Sequence, residues 1–290
     1  MKHIFMMNDT KKHHDFEIHI HDIMKDYDYD IVYTTSIQKS IQYIKNYPYK
    51  ARFYAVGGDG TINGIIQGLV HSHHEFVPIP LGTGNDFCRM LTKEKDPRKV
   101  LKNSLLGKVK LIDTIQLNDM YFINSACFGL DSVIANHVHD TPNIPFVPES
   151  KSYIVSILQH VLQYQHDEVT IISEGKCLFQ GKVILCTVNN GQYYGGGFPI
   201  IPHASIDDGY MDICAVDQLP KAKIPYMITK LLKKNLYHRK EVHYFKVKEA
   251  TVICANHCNI DGEEKKYDEY YFNILPQSLQ VVTFTDENLS

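Results

Sequence analysis

The stretch that most constrains this chain is Tyr54-Ala55-Val56-Gly57-Gly58-Asp59-Gly60-Thr61-Ile62-Asn63. An apolar run stops at a pair of glycines, and Ile62, Ile65, Ile66 and Leu69 then recur at helical spacing. That order reads as strand, tight turn and helix N-terminus. Such a turn gathers backbone N–H groups and the positive end of the helix dipole around one point, which suits a phosphate. Glycine lets the backbone approach the anion and adopt φ > 0. An aspartate inside the turn calls for a cation or a hydroxyl as well. The stretch therefore points to a nucleotide phosphate site with a divalent metal nearby.

The residues around it repeat the theme. Lys2–Met7, Ile31–Thr34, Arg52–Val56 and Phe76–Pro80 read as short buried strands. Helical patterns over His13–Met24 and Ile37–Tyr47 separate the first three. Alternation of this kind predicts a parallel sheet covered by helices on both faces. A second glycine turn, Leu81-Gly82-Thr83-Gly84-Asn85-Asp86-Phe87-Cys88-Arg89, follows the fourth strand. In such sheets ligands sit beyond the carboxyl ends of the strands, so both turns would converge on one nucleotide.

From Val109 onward the texture changes to strand-like runs. Val109–Leu117 and Tyr121–Phe128 flank an Asn118-Asp119 turn, and Val169–Ser173, Cys177–Asn189, Tyr210–Val216, Glu241–Asn256, Tyr270–Leu275 and Leu279–Phe284 follow. These predict an antiparallel, sandwich-like second domain. A helix over Ser150–Gln165 and a proline-bearing loop over Asp140–Glu149 interrupt it. Lys221–Lys240 carries Lys221, Lys223, Lys230, Lys233, Lys234, Arg239 and Lys240 with no acidic residue, interleaved with Ile224, Met227, Ile228, Leu231, Leu232 and Leu236. A basic amphipathic helix suits an anionic membrane surface, although most amphipathic helices simply cover a core. Two carboxylate-bearing turns complete the inventory: Ser205-Ile206-Asp207-Asp208-Gly209-Tyr210 and Asn259-Ile260-Asp261-Gly262-Glu263-Glu264. The first offers hard oxygen ligands for Mg²⁺ or a plain turn. The second reads as a hairpin tip that places a carboxylate in an interdomain cleft.

Composition adds limits. At 290 residues the chain is long enough for two domains, and 44% apolar with 22% charged residues is ordinary for a globular protein. A formal net charge of −3 gives no case for nucleic acid. No apolar run is long enough to span a bilayer, and the N-terminus turns polar too early for a signal segment. Seven scattered cysteines, mostly inside strand-like runs, read as reduced core thiols and a cytoplasmic location. The His71–His74 and Cys254–Cys258 clusters lack the ligand spacing of a zinc site.

In order along the chain, Gly57-Gly58-Asp59-Gly60-Thr61, Gly82-Thr83-Gly84-Asn85-Asp86-Phe87, Asp207-Asp208-Gly209 and Asp261-Gly262-Glu263 resemble the signature of the diacylglycerol kinase catalytic-domain family, in its soluble bacterial lipid-kinase form. The resemblance implies an α/β fold of two domains. Residues 1–115 would form a Rossmann-like parallel α/β nucleotide-binding domain, to which the last strand may return, and residues 116–290 an antiparallel β-sandwich-like domain for the lipid. It implies ATP in the cleft between them and transfer of the γ-phosphoryl group to a lipid hydroxyl of diacylglycerol or a related lipid alcohol. By motif, Gly57, Gly58, Asp59, Gly60, Thr61 and Asn63 would cradle phosphates. Thr35, Thr83, Asn85 and Asp86 would add nucleotide contacts, with Asn8 a weaker match. Asp261 corresponds to the general base, with Glu263 beside it. A structural Mg²⁺ would sit on Asp208 with carbonyls of Ser205 and Tyr210, and Asp59, Asp86, Asp113 and Asp208 would reach a nucleotide-bound Mg²⁺ through water. Lys221–Lys240 would dock on the inner face of the membrane, and a homodimer is a family-level expectation.

One stretch departs from the family. Its first strand usually ends in a turn containing Asn-Pro and Ser-Gly, whereas Met7-Asn8-Asp9-Thr10-Lys11 keeps only the asparagine. Two alternatives stay open: an NAD kinase-like enzyme of the same superfamily, which shares the Gly-Gly-Asp-Gly-Thr turn, and, on account of the altered loop, a catalytically inactive nucleotide- or lipid-binding regulator.

Overall fold

The structure, a computed structural model, describes residues 1–8, 10–129, 166–236 and 238–284. The loop expected over 140–149, the helix expected over 150–165 and Asp9 lie outside the described residues.

The first unit is a parallel sheet. Strands β1 (Lys2–Met7), β2 (Tyr29–Tyr33), β3 (Ala51–Gly57) and β4 (Glu75–Pro80) lie in the order β2-β1-β3-β4 and all pair in parallel. Every residue of β3 and β4 is buried, as a sheet covered on both faces requires. Side-chain alternation divides β1 and β3 between two cores. Ile4, Met6, Phe53 and Ala55 pack with Ile44 of α2 (Ile37–Asn46) and with Ile62, Ile65 and Ile66 of α3 (Asp59–Leu69). Phe5, Met7, Tyr54 and Val56 pack with Phe16 and Ile20 of α1 (Lys11–Met24) and Val100 and Leu101 of α5 (Pro97–Leu105). Phe87, Cys88 and Leu91 of α4 (Asp86–Leu91) belong to the first of these two cores. The helix starts are written locally: the side chains of Thr10, Ser36 and Asp96 each accept a backbone N–H from the first turn.

The second unit is antiparallel. It comprises β5 (Lys108–Leu117), β6 (Met120–Phe122), β7 (Ser125–Gly129), β8 (Asp167–Ser173), β9 (Lys176–Asn189), β12 (Met211–Asp217), β13 (Val242–Val247), β14 (Glu249–Cys254), β15 (Cys258–Ile260), β16 (Glu263–Lys265) and β17 (Tyr270–Thr283). The two-residue strands β10 (Tyr193–Tyr194) and β11 (Phe198–Pro199) form a separate small hairpin. Most of these strands send one face into a single core containing Phe122, Phe128, Val188, Ile213, Val252 and Tyr270. Phe128 and Tyr270 meet edge to face at 4.8 Å. On the outer side, Ile224 and Met227 of α6 (Ile224–Leu232) pack on Tyr194, Ile200 and Ile201. All seven cysteines are free thiols, and only Cys177 is exposed.

Strand β17 joins the two units. Its first residues pair with β14, and Gln280 and Val281 pair in parallel with β4. Strand β5 runs beside it antiparallel, so the sheet is continuous from β16 to β2.

Four runs read as strands from the sequence differ in detail. Glu241–Asn256 splits at Lys248, because β13 pairs with β12 whereas β14 pairs with β8 and β17. Tyr121–Phe128 splits at Ile123 and Asn124, whose N–H groups turn to a carboxylate instead of a strand. Tyr270–Leu275 and Leu279–Phe284 instead merge into β17 across an irregularity, where Gln277 adopts φ 51°.

At the ends of β3 and β4 remote from the glycine turns, Arg52 Nε donates to Glu75 Oε2 at 2.8 Å and Arg52 Nη2 approaches the same oxygen at 2.7 Å, with both side chains buried. Removing Arg52 leaves the buried Glu75 carboxylate with Lys50 Nζ, 3.0 Å from its other oxygen, as its remaining cation. Arg52→Ala is expected to cost about 3–5 kcal/mol of unfolding free energy by denaturant titration. A loss below about 1 kcal/mol would refute this account of the pair.

Candidate active site

The glycine turn after β3 faces the one after β4 at backbone contact. A Cβ on Gly82 would lie 2.4 Å from Gly58 Cα, so neither turn tolerates a side chain there. Asn85 adopts φ 54°, and its side-chain oxygen accepts from Gly82 N–H at 3.0 Å while its amide donates to Gly82 O at 2.7 Å. Asp59, the first residue of α3, then fastens the two turns together. Its Oδ2 accepts the Asn85 N–H at 2.9 Å and its Oδ1 the Asp86 N–H at 3.2 Å. The aspartate left without a partner by sequence thus receives two backbone donors from the second turn.

Asp86 carries the linkage to the second unit. Its Oδ2 accepts the N–H of Gly196 at 2.8 Å, from the turn of the β10–β11 hairpin, whose three glycines all have positive φ. Arg89 braces the same junction, donating to Gly84 O at 2.9 Å and contacting Asp86 Oδ1 at 3.4 Å. Arg89 and Gly196 were not singled out from the sequence; the triple glycine at 195–197 was the available signal.

Asp261 sits at the tip of the β15–β16 hairpin with φ 46°, followed by Gly262 at 93°, the pair of left-handed residues that a two-residue hairpin turn requires. Its carboxylate is almost fully buried. Oδ2 accepts the N–H groups of Ile123 and Asn124 at 3.0 and 3.2 Å, and Oδ1 that of Ser125 at 2.7 Å. Glu263 faces the phosphate turn, since a Cβ on Gly60 would lie 3.5 Å from Glu263 Oε1. Asn63, from α3, hydrogen-bonds the Asp261 carboxylate and donates weakly to Tyr121 O at 3.4 Å.

Beside these groups lies a cleft of about 650 Å³ lined by Asn8, Thr35, Ser36, Gly58, Thr61 and Glu263, among others. It collects the turns after β1, β2 and β3, at the carboxyl ends of the parallel strands, against a residue of the second unit. Ser36 is an addition to the sequence-derived set; its place in the Thr-Thr-Ser run was the only hint. Asn8 lines the cleft with its carbonyl already used, by Thr10 N–H at 3.0 Å and by His13 Nδ1 at 2.7 Å. Thr83 and Asn85 open instead onto a smaller cavity of about 380 Å³ with Arg89, Tyr193 and Gly197.

Burial dominates the electrostatics. It pushes Asp59 up to about 7, helped by the nearby charges of Asp86 and Asp261. It pushes Asp261 up to about 6 and raises Asp86 as well. Three buried carboxylates in one another's field favour a cation placed among them. No three His, Cys, Asp or Glu side chains among the described residues converge closely enough to ligate one directly. A Mg²⁺ among these carboxylates would therefore have to keep its water ligands, in keeping with that ion's reluctance to dehydrate.

The remaining acidic residues are engaged elsewhere. Asp113 is fully buried, its Oδ2 holding Gly209 N–H at 2.7 Å and its Oδ1 Gln277 N–H at 2.8 Å. It ties β5 to the Asp-Asp-Gly loop and to the irregularity in β17. Asp208 accepts Tyr210 N–H at 3.1 Å and pairs with Lys246 Nζ at 2.6 Å, while the Ser205 hydroxyl donates to Asp207 at 2.7 Å. Those contacts occupy carboxylate oxygens that a cation on Asp208 would take.

Asp59 and Asp261 hold a proton more tightly folded than unfolded. Their stabilising contribution is complete below about pH 4 and is lost as pH rises through about 6 to 7. Denaturant titrations in chelator are expected to show stability falling from about pH 5 to about pH 8, with Asp59→Asn removing roughly 1–3 kcal/mol of that fall. An identical fall in the variant would contradict the burial of this carboxylate.

Comparison with known proteins agrees with this geometry. Residues 5–117 match the diacylglycerol kinase catalytic domain, and residues 124–283 match the YegS C-terminal NAD kinase beta sandwich-like domain. A diacylglycerol kinase of Staphylococcus saprophyticus is 27% identical over 237 residues, covering 80% of this chain and 76% of that one. The crystal structure of a diacylglycerol kinase from Bacillus anthracis superposes with a TM-score of 0.76 at 20% identity, over 99% of this chain and 97% of that one. An NAD kinase from Archaeoglobus fulgidus, in complex with ATP, shares the fold more distantly, with a TM-score of 0.55 at 15% identity over 99% and 94% of the two chains. With both domain models matched in order, the chain belongs to the lipid kinases of the diacylglycerol kinase catalytic-domain family that carry the YegS-type C-terminal domain.

Proposed function

We propose that the protein transfers the γ-phosphoryl group of ATP to the hydroxyl of diacylglycerol or a related lipid alcohol. The observation that carries this reading is the meeting of the Gly58–Thr61 phosphate turn with the Asp261-Gly262-Glu263 hairpin across one cleft. The N-terminus of α3, with its eleven residues, supplies backbone donors and a dipole for the phosphates. Thr35, Ser36 and Thr61 line the same cleft as hydroxyl donors.

The transfer itself needs positioning and charge neutralisation more than covalent chemistry. The acceptor oxygen forms its bond to the γ-phosphorus as the bond to the bridging oxygen breaks, and ADP leaves with that electron pair. The hydroxyl proton passes to Asp261. With its affinity for protons raised to about 6, Asp261 is a better base than a solvated carboxylate and is still ionised near neutrality. The three N–H groups of Ile123–Ser125 fix its orientation. When bound, Mg²⁺ supplies neutralisation of the charge on the β- and γ-phosphates. Asp59 and Asp86 are placed to orient its water ligands.

Helix α6 supports work at the inner face of a membrane by a cytoplasmic enzyme. Lys221, Lys223, Lys233, Lys234 and Lys240 are exposed around it, and Tyr226 is exposed with Lys230 Nζ 5.2 Å and the Arg239 guanidinium 5.4 Å from its ring centre. Ile224 and Met227 pack on the cluster that includes Tyr194 of the β10–β11 hairpin, whose Gly196 holds Asp86. A membrane touching α6 would thus lie one hairpin away from the cleft. No helix among the described residues is long and apolar enough to cross the membrane.

An ATP-dependent phosphorylation assay over a panel of lipid alcohols, with NAD as a separate acceptor, tests the reaction. Phosphorylated lipid is expected, and phosphorylated NAD alone would refute the reading. Asp261→Asn is expected to lower kcat about 10²–10⁴-fold, and the acid limb of the wild-type pH profile should bend near 6.

Vesicle sedimentation tests the docking face. Replacing Lys221, Lys223, Lys233 and Lys234 by Gln is expected to weaken binding to anionic vesicles by about 10²-fold or more, with turnover of detergent-dispersed lipid retained. Equal binding by variant and wild type would rule out α6 as the contact.

A further inference from the structure

The Asp-Asp-Gly loop, residues 205–210, is the place where the family resemblance implies a structural Mg²⁺, and the residues around it do not suit one. Both carboxylates of the loop already have cationic partners. Lys110 Nζ lies 2.7 Å from Asp207 Oδ2, and Lys246 Nζ lies 2.6 Å from Asp208 Oδ2. The other oxygen of Asp208 accepts the Tyr210 N–H at 3.1 Å, and the Ser205 hydroxyl donates to Asp207 Oδ1 at 2.7 Å. A third ammonium, on Lys248, stands 5.2 Å from the ring centre of Tyr210, with Lys246 at 5.7 Å from the same point.

Lys246 is held beside the loop by the backbone. Strands β12 and β13 pair in a register that sets Lys246 directly opposite Asp212. Asp212 is buried, and its Oδ2 has no hydrogen-bond partner. Lys246 therefore stands opposite one buried carboxylate, whose Oδ2 lacks a hydrogen-bond partner, and in contact with a second. The far side of the loop needs no cation either. Asp113 N–H donates to Ile206 O at 2.7 Å, and Asp113 Oδ2 accepts Gly209 N–H at 2.7 Å. A divalent ion brought to Asp208 would have to displace the ammonium and then sit among three lysines, each of like charge.

We infer that in this chain the Lys246 ammonium takes the place of the structural divalent cation at Asp208, so that the loop is folded by its own side chains. The requirement for Mg²⁺ is then confined to the nucleotide cleft. This inference concerns the loop alone and stands whether or not the acceptor is a lipid.

Thermal unfolding of the full chain without nucleotide, in chelator and in millimolar Mg²⁺, tests it. The Mg²⁺-induced shift in midpoint is expected to be the same for wild type and Asp208→Asn, because any ion bound elsewhere acts on both. A shift present in the wild type and lost in Asp208→Asn would overturn the inference. In chelator, Lys246→Ala is expected to lower the midpoint by about 1–3 °C, as suits a partly exposed ion pair in a chain of this size. That loss should largely vanish when Lys246→Ala is made on top of Asp208→Asn. Fully additive losses would overturn the pairing, and both variants retain the core, so folding itself is not at stake. Lys246→Gln reports separately on charge, because it keeps a hydrogen-bond donor and should recover only part of the midpoint.

Discussion

A carboxylate taken out of water is costly unless backbone N–H groups or a cation replace its hydration. This cleft is assembled by that requirement. Asp59 takes the N–H groups of Asn85 and Asp86, Asp86 takes that of Gly196, and Asp261 takes those of Ile123, Asn124 and Ser125. Each contact joins segments far apart in sequence. Two turns of the parallel sheet are locked to each other, then to the β10–β11 hairpin, while the catalytic-type hairpin is locked to the β6–β7 turn. The same burial raises the proton affinity of all three groups.

The first turn of the sheet follows a different rule from the others. Without the glycine of the family pattern, the chain after β1 enters α1 through a Thr10 cap, and the carbonyl of Asn8 is used by Thr10 and His13. Asn8 lines the cleft with its carbonyl engaged by those two partners. The hydroxyls of Thr34, Thr35 and Ser36 stand on the adjoining turn and line the same space. The polar lining of the cleft thus comes from β2–α2 and from α3.

The fold alone does not select an acceptor, since an NAD kinase shares it. What bears on the choice is local: the second glycine turn with Asn85 and Asp86, the Asp261-Gly262-Glu263 hairpin beside the phosphate turn, and the basic helix α6, on which the proposed lipid acceptor rests.

Much of this was legible in the chain itself. Strand–helix alternation, the two glycine turns and the Asp-Gly hairpin are local signals, because φ/ψ demands, caps and apolar periodicity act over a few residues. They determined the division into a parallel and an antiparallel unit and the turns that carry Gly58, Thr61 and Glu263 to the cleft, though not its Ser36 wall or the separate cavity under Thr83 and Asn85. Other features were decided by pairing between distant segments. The break at Lys248 arises because one run serves two different strand partners, and β17 is single because its two halves complete two units. The partners of Asp59, the clamp formed by Asp113 and the lysines on Asp207 and Asp208 likewise depend on which strands lie side by side. A carboxylate in a sequence declares its charge; whether that charge meets an N–H group, an ammonium or a metal is settled only when the sheet brings its neighbours into place.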